Sequence, residues 1–282
     1  MNALDLLYSQ GFGTRRHCIA LIEEGFFELG IGAYLTTKDP LQVDTTRVVN
    51  SFVVHKDPYA EIDEIEAVIA WAKTRSPNGE DLSGLIYKVE SIEWQYHPNA
   101  YVMLNKPMGI ECSQKPSNWP SVYTLLPSPL RQRPRKGSSP GVQAVGRLDQ
   151  DTTGLLLLSD DGQFIHKMSS PKHHVPKIYE LHTEDPLEPS VCEKLINGVH
   201  LKDEYALTFA KEAKITGEFT MELTLTEGKY HQVKRMLAAT GHKVTQLHRA
   251  RIGPLVIDED LTPGTWRWLS QTEIDSLFTK TA

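Results

Sequence analysis

The chain has no apolar run approaching the roughly 20 residues of a membrane-spanning helix, so no helical span is expected. Its first residues, Met1 to Gln10, include Asp5 and show no basic start followed by an apolar stretch; no secretory signal is expected. Cysteine is scarce. Cys18, Cys112 and Cys192 stand far apart, which is neither a disulfide framework nor a CxxC metal site and suits a reducing cytoplasm. No Walker glycine loop, HExxH pair or GxSxG elbow is present, and no internal repeat is found. An excess of positive charge is also lacking: 30 Lys and Arg stand against 36 Asp and Glu, a net charge of -6. At face value that argues against a nucleic-acid binder.

What is present is an ordinary globular composition, 40% apolar and 23% charged over 282 residues, enough to bury one or two cores. The charge is unevenly placed. Residues 101–182 hold 10 basic and 6 acidic side chains, and 211–253 hold 8 and 4. Each is basic by 4 inside an acidic protein, and together they contain seven of the eleven histidines. Folded together, these segments would offer a polyanion a positive surface. Equally, such alternation arises by chance along a solvated surface, and charge alone does not decide.

The N-terminal third reads as helical and acidic. Thr14 can cap a helix with Cys18, Ile19 and Ile22 as its apolar stripe and Gly25 as its stop, followed by a turn and a short extended piece to residue 30. A second helix is expected over 61–75, where Ile62, Ile65, Val68, Ile69 and Ala72 repeat at helical spacing before Ser76-Pro77-Asn78-Gly79. A domain boundary is placed at His97-Pro98-Asn99, giving domains 1–97 and 98–282. Beyond it Tyr101–Leu104 and Leu155–Leu158 read as buried strands, and Phe219, Met221, Leu223 and Leu225 as one face of a half-buried strand. His231–Ala239 reads as a helix closed by Gly241, with Val233, Met236, Leu237 and Thr240 along one side. Residues 127–141 (PSPLRQRPRKGSSPG) read as a flexible basic loop, either a surface connection or a mobile phosphate contact. Interspersed strands and helices without βαβ alternation indicate the α+β class.

Two clusters could carry chemistry. Gly146-Arg147-Leu148-Asp149-Gln150-Asp151-Thr152-Thr153-Gly154 leads directly into the apolar run at Leu155. A loop entering a buried strand can hold a carboxylate rigidly at a cleft edge. On pattern alone the plainer reading is stronger, that Asp149 and Asp151 bond local backbone amides as turn aspartates do. The second cluster, Glu227–Leu237, places Lys234 and Arg235 on the first turns of a helix, where the macrodipole disfavours cations. That placement suggests a carboxylate or phosphate facing them, with solvated positions as the alternative. His166, His173, His174 and His182 fit no standard metal spacing, and solvated or RNA-facing roles suit them better.

Gly146–Gly162 (GRLDQDTTGLLLLSDDG), Ser169–Tyr179 (SSPKHHVPKIY) and Glu227–Leu237 (EGKYHQVKRML) closely resemble the RsuA-type ribosomal RNA pseudouridine synthases. Asn105-Lys106-Pro107-Met108-Gly109 is similar to that family's opening catalytic motif, and Leu247–Leu255 (LHRARIGPL) to its closing one. The motifs occur in family order over about 101–270. Gly13–Gly30 (GTRRHCIALIEEGFFELG) resembles, more weakly, an S4-type RNA-binding helix pair. The resemblance implies a catalytic domain with a mixed, mainly antiparallel sheet and flanking helices, after a small α/β S4-like domain with an acidic insertion.

It also implies a reaction. The N1–C1′ bond of a uridine in RNA breaks, the uracil turns, and it rejoins the ribose through C5. No cofactor or metal is required. Asp149 matches the one working carboxylate, as nucleophile toward the sugar or as acceptor of a sugar proton. Lys234 matches its cationic partner, Tyr179 the tyrosine that stacks on the target base, and Leu247 an apolar neighbour. Arg147 is expected to fill the gap left by the flipped nucleotide. Arg235, Arg249, Arg251, Lys172 and Lys177 are candidates for phosphate contacts, with structural ion pairing as the alternative. The implied partner is ribosomal RNA, preferably of the small subunit, or a ribosomal assembly intermediate. The enzyme is expected to be cytoplasmic, monomeric and without a membrane. A large-subunit target and a noncatalytic RNA-binding assembly protein are the alternatives, with a metal-dependent hydrolase further off.

Overall fold

The computed structural model describes residues 1–31, 51–54, 56–59, 61–62, 85–134 and 140–278. The chain divides into two compact units, Met1–Asn99 with Pro127–Val142, and Ala100–Leu126 with Gln143–Ala282.

The first unit packs helices α1 (Ala3–Gln10) and α2 (Arg15–Glu23) with an antiparallel sheet of order β2-β1-β3-β4. Its strands are β1 (Phe27–Ile31), β2 (Ser51–Val54), β3 (Ile86–Val89) and β4 (Ile92–Gln95). Helix α1 was not read from the sequence. The Asn2 side chain caps it by accepting from Asp5 N–H at 2.8 Å, and Leu6, Leu7 and Gln10 form its buried stripe. Thr14 caps α2 as expected, accepting from His17 N–H, and Cys18 and Ile22 are buried with Leu21. Arg15 ion-pairs with Asp5 at 2.9 Å and lies over the Tyr8 ring. Of the helix expected over 61–75, only Glu61 and Ile62 are described; the rest lies outside the described residues.

Residues 127–141 depart from expectation. Pro127 starts a short helix α3 (Ser128–Gln132), and the segment packs in the first unit rather than with the C-terminal domain. Leu130 is buried, and so is Arg133, whose guanidinium donates to Gln10 Oε1 at 3.0 Å and to the carbonyls of His97 and Pro98 at 2.7 and 3.1 Å. Burial of a cation is costly unless its donors are met, and here oxygens meet them. Arg133 is therefore a structural tie, not a phosphate contact. Gly11 permits the approach: at φ 89°, a Cβ there would collide with the Pro129 carbonyl. Residues 135–139 lie outside the described residues.

The second unit is built on a mixed sheet of order β13-β5-β7-β11-β8-β10-β9. Its members are β5 (Tyr101–Lys106), β6 (Gln143–Ala144), β7 (Thr152–Ser159), β8 (Lys177–Thr183), β9 (Glu212–Gly217), β10 (Thr220–Leu225), β11 (Val244–Ile252), β12 (Leu255–Val256) and β13 (Trp266–Trp268). Strand β6 pairs with β7 and β12 with β11. Only β7 and β11 run parallel; the other described pairs in this sheet are antiparallel. This is the α+β architecture with a mainly antiparallel core. Strand β7 lies inside the sheet and is covered on both faces, which is why Leu155, Leu156, Leu157 and Leu158 are all fully buried. On β10, Met221, Leu223 and Leu225 point into the core as expected, but Phe219 falls outside the strand and is exposed. The hairpin from β9 claims it.

Helices α4 (Gly162–Ser169), α5 (Pro189–Asn197), α6 (Gln232–Ala239) and α7 (Gln271–Phe278) flank the sheet. One core joins Val233, Met236 and Leu237 of α6 to Leu181, Leu223 and Leu247 of the strands. A second joins Leu155 and Leu157 to Phe164, Ile274 and Leu277. Gly154 has φ 105°, and a Cβ there would strike the backbone of Arg249 on the parallel neighbour β11. That missing side chain lets β7 and β11 close together directly behind the Asp149 loop.

Candidate active site

The loop before β7 carries Asp149 and Asp151, and Lys106 anchors it from behind. Lys106 ends β5 with no solvent exposure and donates to the carbonyls of Pro107, Gln150 and Thr152 at 2.9, 3.2 and 2.9 Å. Burial pushes its pKa down, while the nearby Cys112, Asp151 and Asp149 work the other way. Cys112 lies under the same loop. Burial raises its thiol pKa, against the Leu148 N–H and the charges of Lys106, Arg249 and Arg147.

Facing the loop is the start of α6. Lys234 Nζ donates to Asp151 Oδ1 at 2.6 Å and lies 3.7 Å from Asp149 Oδ2. His231 Nε2 lies 3.3 Å from Asp149 Oδ1. Asp149 retains 30% of its side-chain exposure. The sequence placed Lys234 with Asp149; the structure shares it between two aspartates and makes Asp151 the nearer. The plainer expectation of two turn aspartates capping local amides gives way, since both carboxylates face cations.

Why α6 presents these groups follows from its N-terminus. His231 adopts a left-handed backbone, φ 46° and ψ 36°, immediately before the helix. Such a conformation costs a residue with a Cβ on the order of 1 kcal/mol or more and persists only where surroundings enforce it. Here Gln232 is buried and stitches the turn: its Oε1 accepts from Lys229 N–H at 2.8 Å and its Nε2 donates to Glu227 at 3.0 Å. Lys229 donates to Thr208 Oγ1 at 2.8 Å, away from the aspartates.

The other candidates divide by environment. Tyr179 is half-buried on β8, opposite Arg249 of β11 and Leu223 of β10, against the same core as α6. Leu247 is buried and pairs with Thr152, the first residue of β7 after the aspartate loop. Arg147, Lys172 and Arg251 are exposed. Arg235 instead bonds the carbonyls of Tyr230 and Lys202 and neighbours Glu204 at 3.8 Å. Arg249 is 3% exposed, its Nε donating to the Leu155 carbonyl while Nη2 has no hydrogen-bond partner among the described residues. Lys177 donates to the Met168 carbonyl at 3.3 Å, and burial, helped by Arg249, brings its pKa down to about 8. Beside Asp151 opens a groove of about 580 Å³, lined among others by Met108, Thr153, Glu180, Leu247 and His248. Burial lowers the pKa of His248, against Glu180, and its Nδ1 lies 2.9 Å from Thr153 Oγ1. Among the described residues, no group of three His, Cys, Asp or Glu side chains is arranged to hold a metal, and no helix is long and apolar enough to cross a membrane.

Sequence reasoning missed Lys106 and His231 as neighbours of Asp149, and Asp151 as a partner of Lys234. The signals lay in motifs already noted, Asn105-Lys106-Pro107 and His231-Gln232-Val233-Lys234. Only the fold shows that both converge on one loop.

Residues 100–239 match the family described as RNA pseudouridylate synthase. The ribosomal small subunit pseudouridine synthase A of Haemophilus influenzae is 40% identical over 193 residues, 68% of this chain and 79% of that protein. The protein of the same name from Escherichia coli (strain K12) is 42% identical over 183 residues, 65% and 76% of the two chains. A solved structure titled "Crystal structure of pseudouridylate synthase" superposes with a TM-score of 0.59 at 30% identity, covering 98% of this chain and 99% of that one. The family match spans the aspartate loop and α6 alike, and with relatives at 40 and 42% identity the chain belongs to the RsuA-type RNA pseudouridine synthases and is an enzyme of that class.

Proposed function

We propose that this enzyme converts a specific uridine of small-subunit ribosomal RNA to pseudouridine, with Asp149 as the reacting carboxylate. The observation that carries the reading is the pair of contacts on that carboxylate. Lys234 stands 3.7 Å from one oxygen and His231 3.3 Å from the other. A nearby cation offsets the cost of keeping a carboxylate ionised in a cleft, and the loose distances leave its oxygens available to a ribose. Two relatives named for the small ribosomal subunit support the choice of RNA.

The reaction is an isomerisation. The N1–C1′ bond is exchanged for C5–C1′, C5 releases its proton and N1 gains one, so no oxidant or hydrolytic water is consumed. Asp149 acts on the sugar, as nucleophile or as acceptor of a ribose proton. The uracil must turn without leaving, which suits a stacking contact from Tyr179 beside Leu247, because a ring face holds a base without fixing its hydrogen-bond edge. Arg147, exposed and two residues before Asp149, is assigned to fill the stack vacated by the flipped nucleotide. Lys172 and Arg251, being exposed, are the phosphate contacts of choice; Arg235, Arg249 and Lys177 have protein carbonyls to serve. We place the enzyme in the cytoplasm as a monomer acting on ribosomal RNA or an assembly intermediate, with an S4-like N-terminal domain over 1–97.

Pseudouridine-specific chemical mapping of ribosomal RNA, from cells with and without this gene, tests the reading. One small-subunit uridine should lose its signal. Loss at a large-subunit position would reassign the target. RNA affinity with no lost site would favour a noncatalytic assembly role.

A further inference from the structure

Next to Asp149 lies an aromatic pair whose outer member, Tyr230, the reaction as described leaves unused. Tyr230 is 75% exposed. Its ring nevertheless stacks on that of His231, with centroids 3.8 Å apart and planes 21° apart. One face of the phenol ring is therefore covered by imidazole, while the other is turned to solvent. The pair is held from below. His231 is fixed in its left-handed conformation by the turn that Gln232 stitches, and α6 is rooted through Val233, Met236 and Leu237. At its far end the imidazole reaches to 3.3 Å from the Asp149 carboxylate. An exposed aromatic ring held rigidly beside a reacting group offers what an unpaired base needs, a flat partner that costs little to order.

We infer that Tyr230 is a stacking platform for an unpaired RNA base flanking the target uridine. His231, clamped beneath it, is the positioning residue that orients the Asp149 carboxylate. The inference rests on the reading of Asp149 as the reacting carboxylate. RNA bound on the outer face of Tyr230 presses the Tyr230–His231 stack together and holds the imidazole against Asp149, so that binding of a flanking base and alignment of the reacting group are one event.

The experiment uses the full chain and a small-subunit ribosomal RNA fragment containing the mapped uridine, with 2-aminopurine at each flanking position in turn. Wild-type protein should quench the fluorescence at one of these positions. Tyr230→Ala should abolish that quenching and raise KM about tenfold, and Tyr230→Phe, which keeps the ring, should recover most of the lost affinity. His231→Ala should lower kcat about tenfold with KM nearly unchanged, and His231→Gln, which keeps a donor, should restore part of it. Absence of quenching at every flanking position, or a Tyr230→Ala KM within twofold of wild type, overturns the platform. An unchanged kcat in His231→Ala overturns the positioning role. Should wild-type protein leave the uridine unconverted, the proposed function fails instead, and the quenching, which needs only binding, is read independently.

Discussion

Arg267 and Lys234 each hold two carboxylates in the second unit, and they hold them differently. Arg267 donates to both Glu273 oxygens at 2.9 and 2.7 Å, to Asp258 and to the Trp268 carbonyl. Glu273 in turn accepts from Ser270 N–H and Oγ at the start of α7. Lys234 makes one short bond, to Asp151, and leaves Asp149 with neighbours at 3.3 and 3.7 Å. Exposure does not separate the two clusters: side-chain values are 29% and 26% for Arg267 and Glu273, and 26% and 30% for Lys234 and Asp149. Saturation does. A cluster that braces the fold uses up its donors and acceptors, whereas a cluster that meets a substrate keeps one group loosely held.

The comparison breaks most decisively at Asp149. Asp149→Asn should cut isomerisation by roughly 10³-fold or more while RNA affinity and the unfolding midpoint stay near wild type. Turnover and filter binding on the same RNA fragment check it, and substantial pseudouridine formation by the variant would remove Asp149 from the mechanism. Next comes Lys234→Met, expected to cost about 10²-fold in kcat because both aspartates lose their shared cation. An unchanged kcat would make the Lys234 cluster a brace like that of Arg267.

Sharpening the other side needs a stability measurement. Arg267→Met should destabilise the fold by about 2 kcal/mol, through charge-assisted bonds lost and carboxylates left uncompensated, with kcat per folded molecule intact. Glu273 adds a pH signature. Burial pushes its carboxyl pKa up, but Arg267 and Ser270 outweigh this and hold it below 4.5. A carboxyl lowered on folding stabilises above its unfolded pKa and loses that contribution as pH falls through the folded value. The deficit of Glu273→Gln against wild type should thus be full at pH 6 and shrink below about pH 4.5; a pH-independent deficit in urea titrations would dissociate it from the ion pair.

Why the two clusters were unequally legible in the sequence has a physical basis. Asp149 and Lys234 sit in long motifs whose order along the chain carries the family resemblance, and apolar runs located β5 and β7, and periodicity β10 and α6, around them. Leu155–Leu158 could be read because an interior strand is apolar throughout. What periodicity could not supply was long-range pairing. Asp151 taking the shorter bond and Lys106 gripping the carbonyls of Gln150 and Thr152 depend on which elements lie side by side, and Arg267 meeting Asp258 and Glu273 on how the chain enters and leaves β13. Helix α1 was passed over because its eight residues were read for charge, not for period. Residues 127–141 misled for a related reason: a Pro- and Arg-rich string has the composition of a loop, yet Leu130 is buried and Arg133 found partners in Gln10, His97 and Pro98.

The smallest effect belongs to Lys177, a cation that neither cluster neutralises. Burial, and after it the charge of Arg249, lowers its pKa from 10.5 to about 8. The shift has the same direction as that of Glu273, but here the fold disfavours the charged form instead of favouring it. Between about pH 8 and 10.5 the native state binds fewer protons than the unfolded chain, so stability rises with pH there. Below about pH 8 the side chain is charged in both states and its full desolvation cost is felt. Lys177→Met removes that cost at the price of one long bond to the Met168 carbonyl. The variant should therefore be more stable than wild type at pH 7, by about 1 kcal/mol, with the gap closing by pH 10. Denaturant midpoints at the two pH values decide it. A gain that persists at pH 10 would reflect packing alone, and a loss at pH 7 would mean that Lys177, like Arg267, has its charge met by the fold.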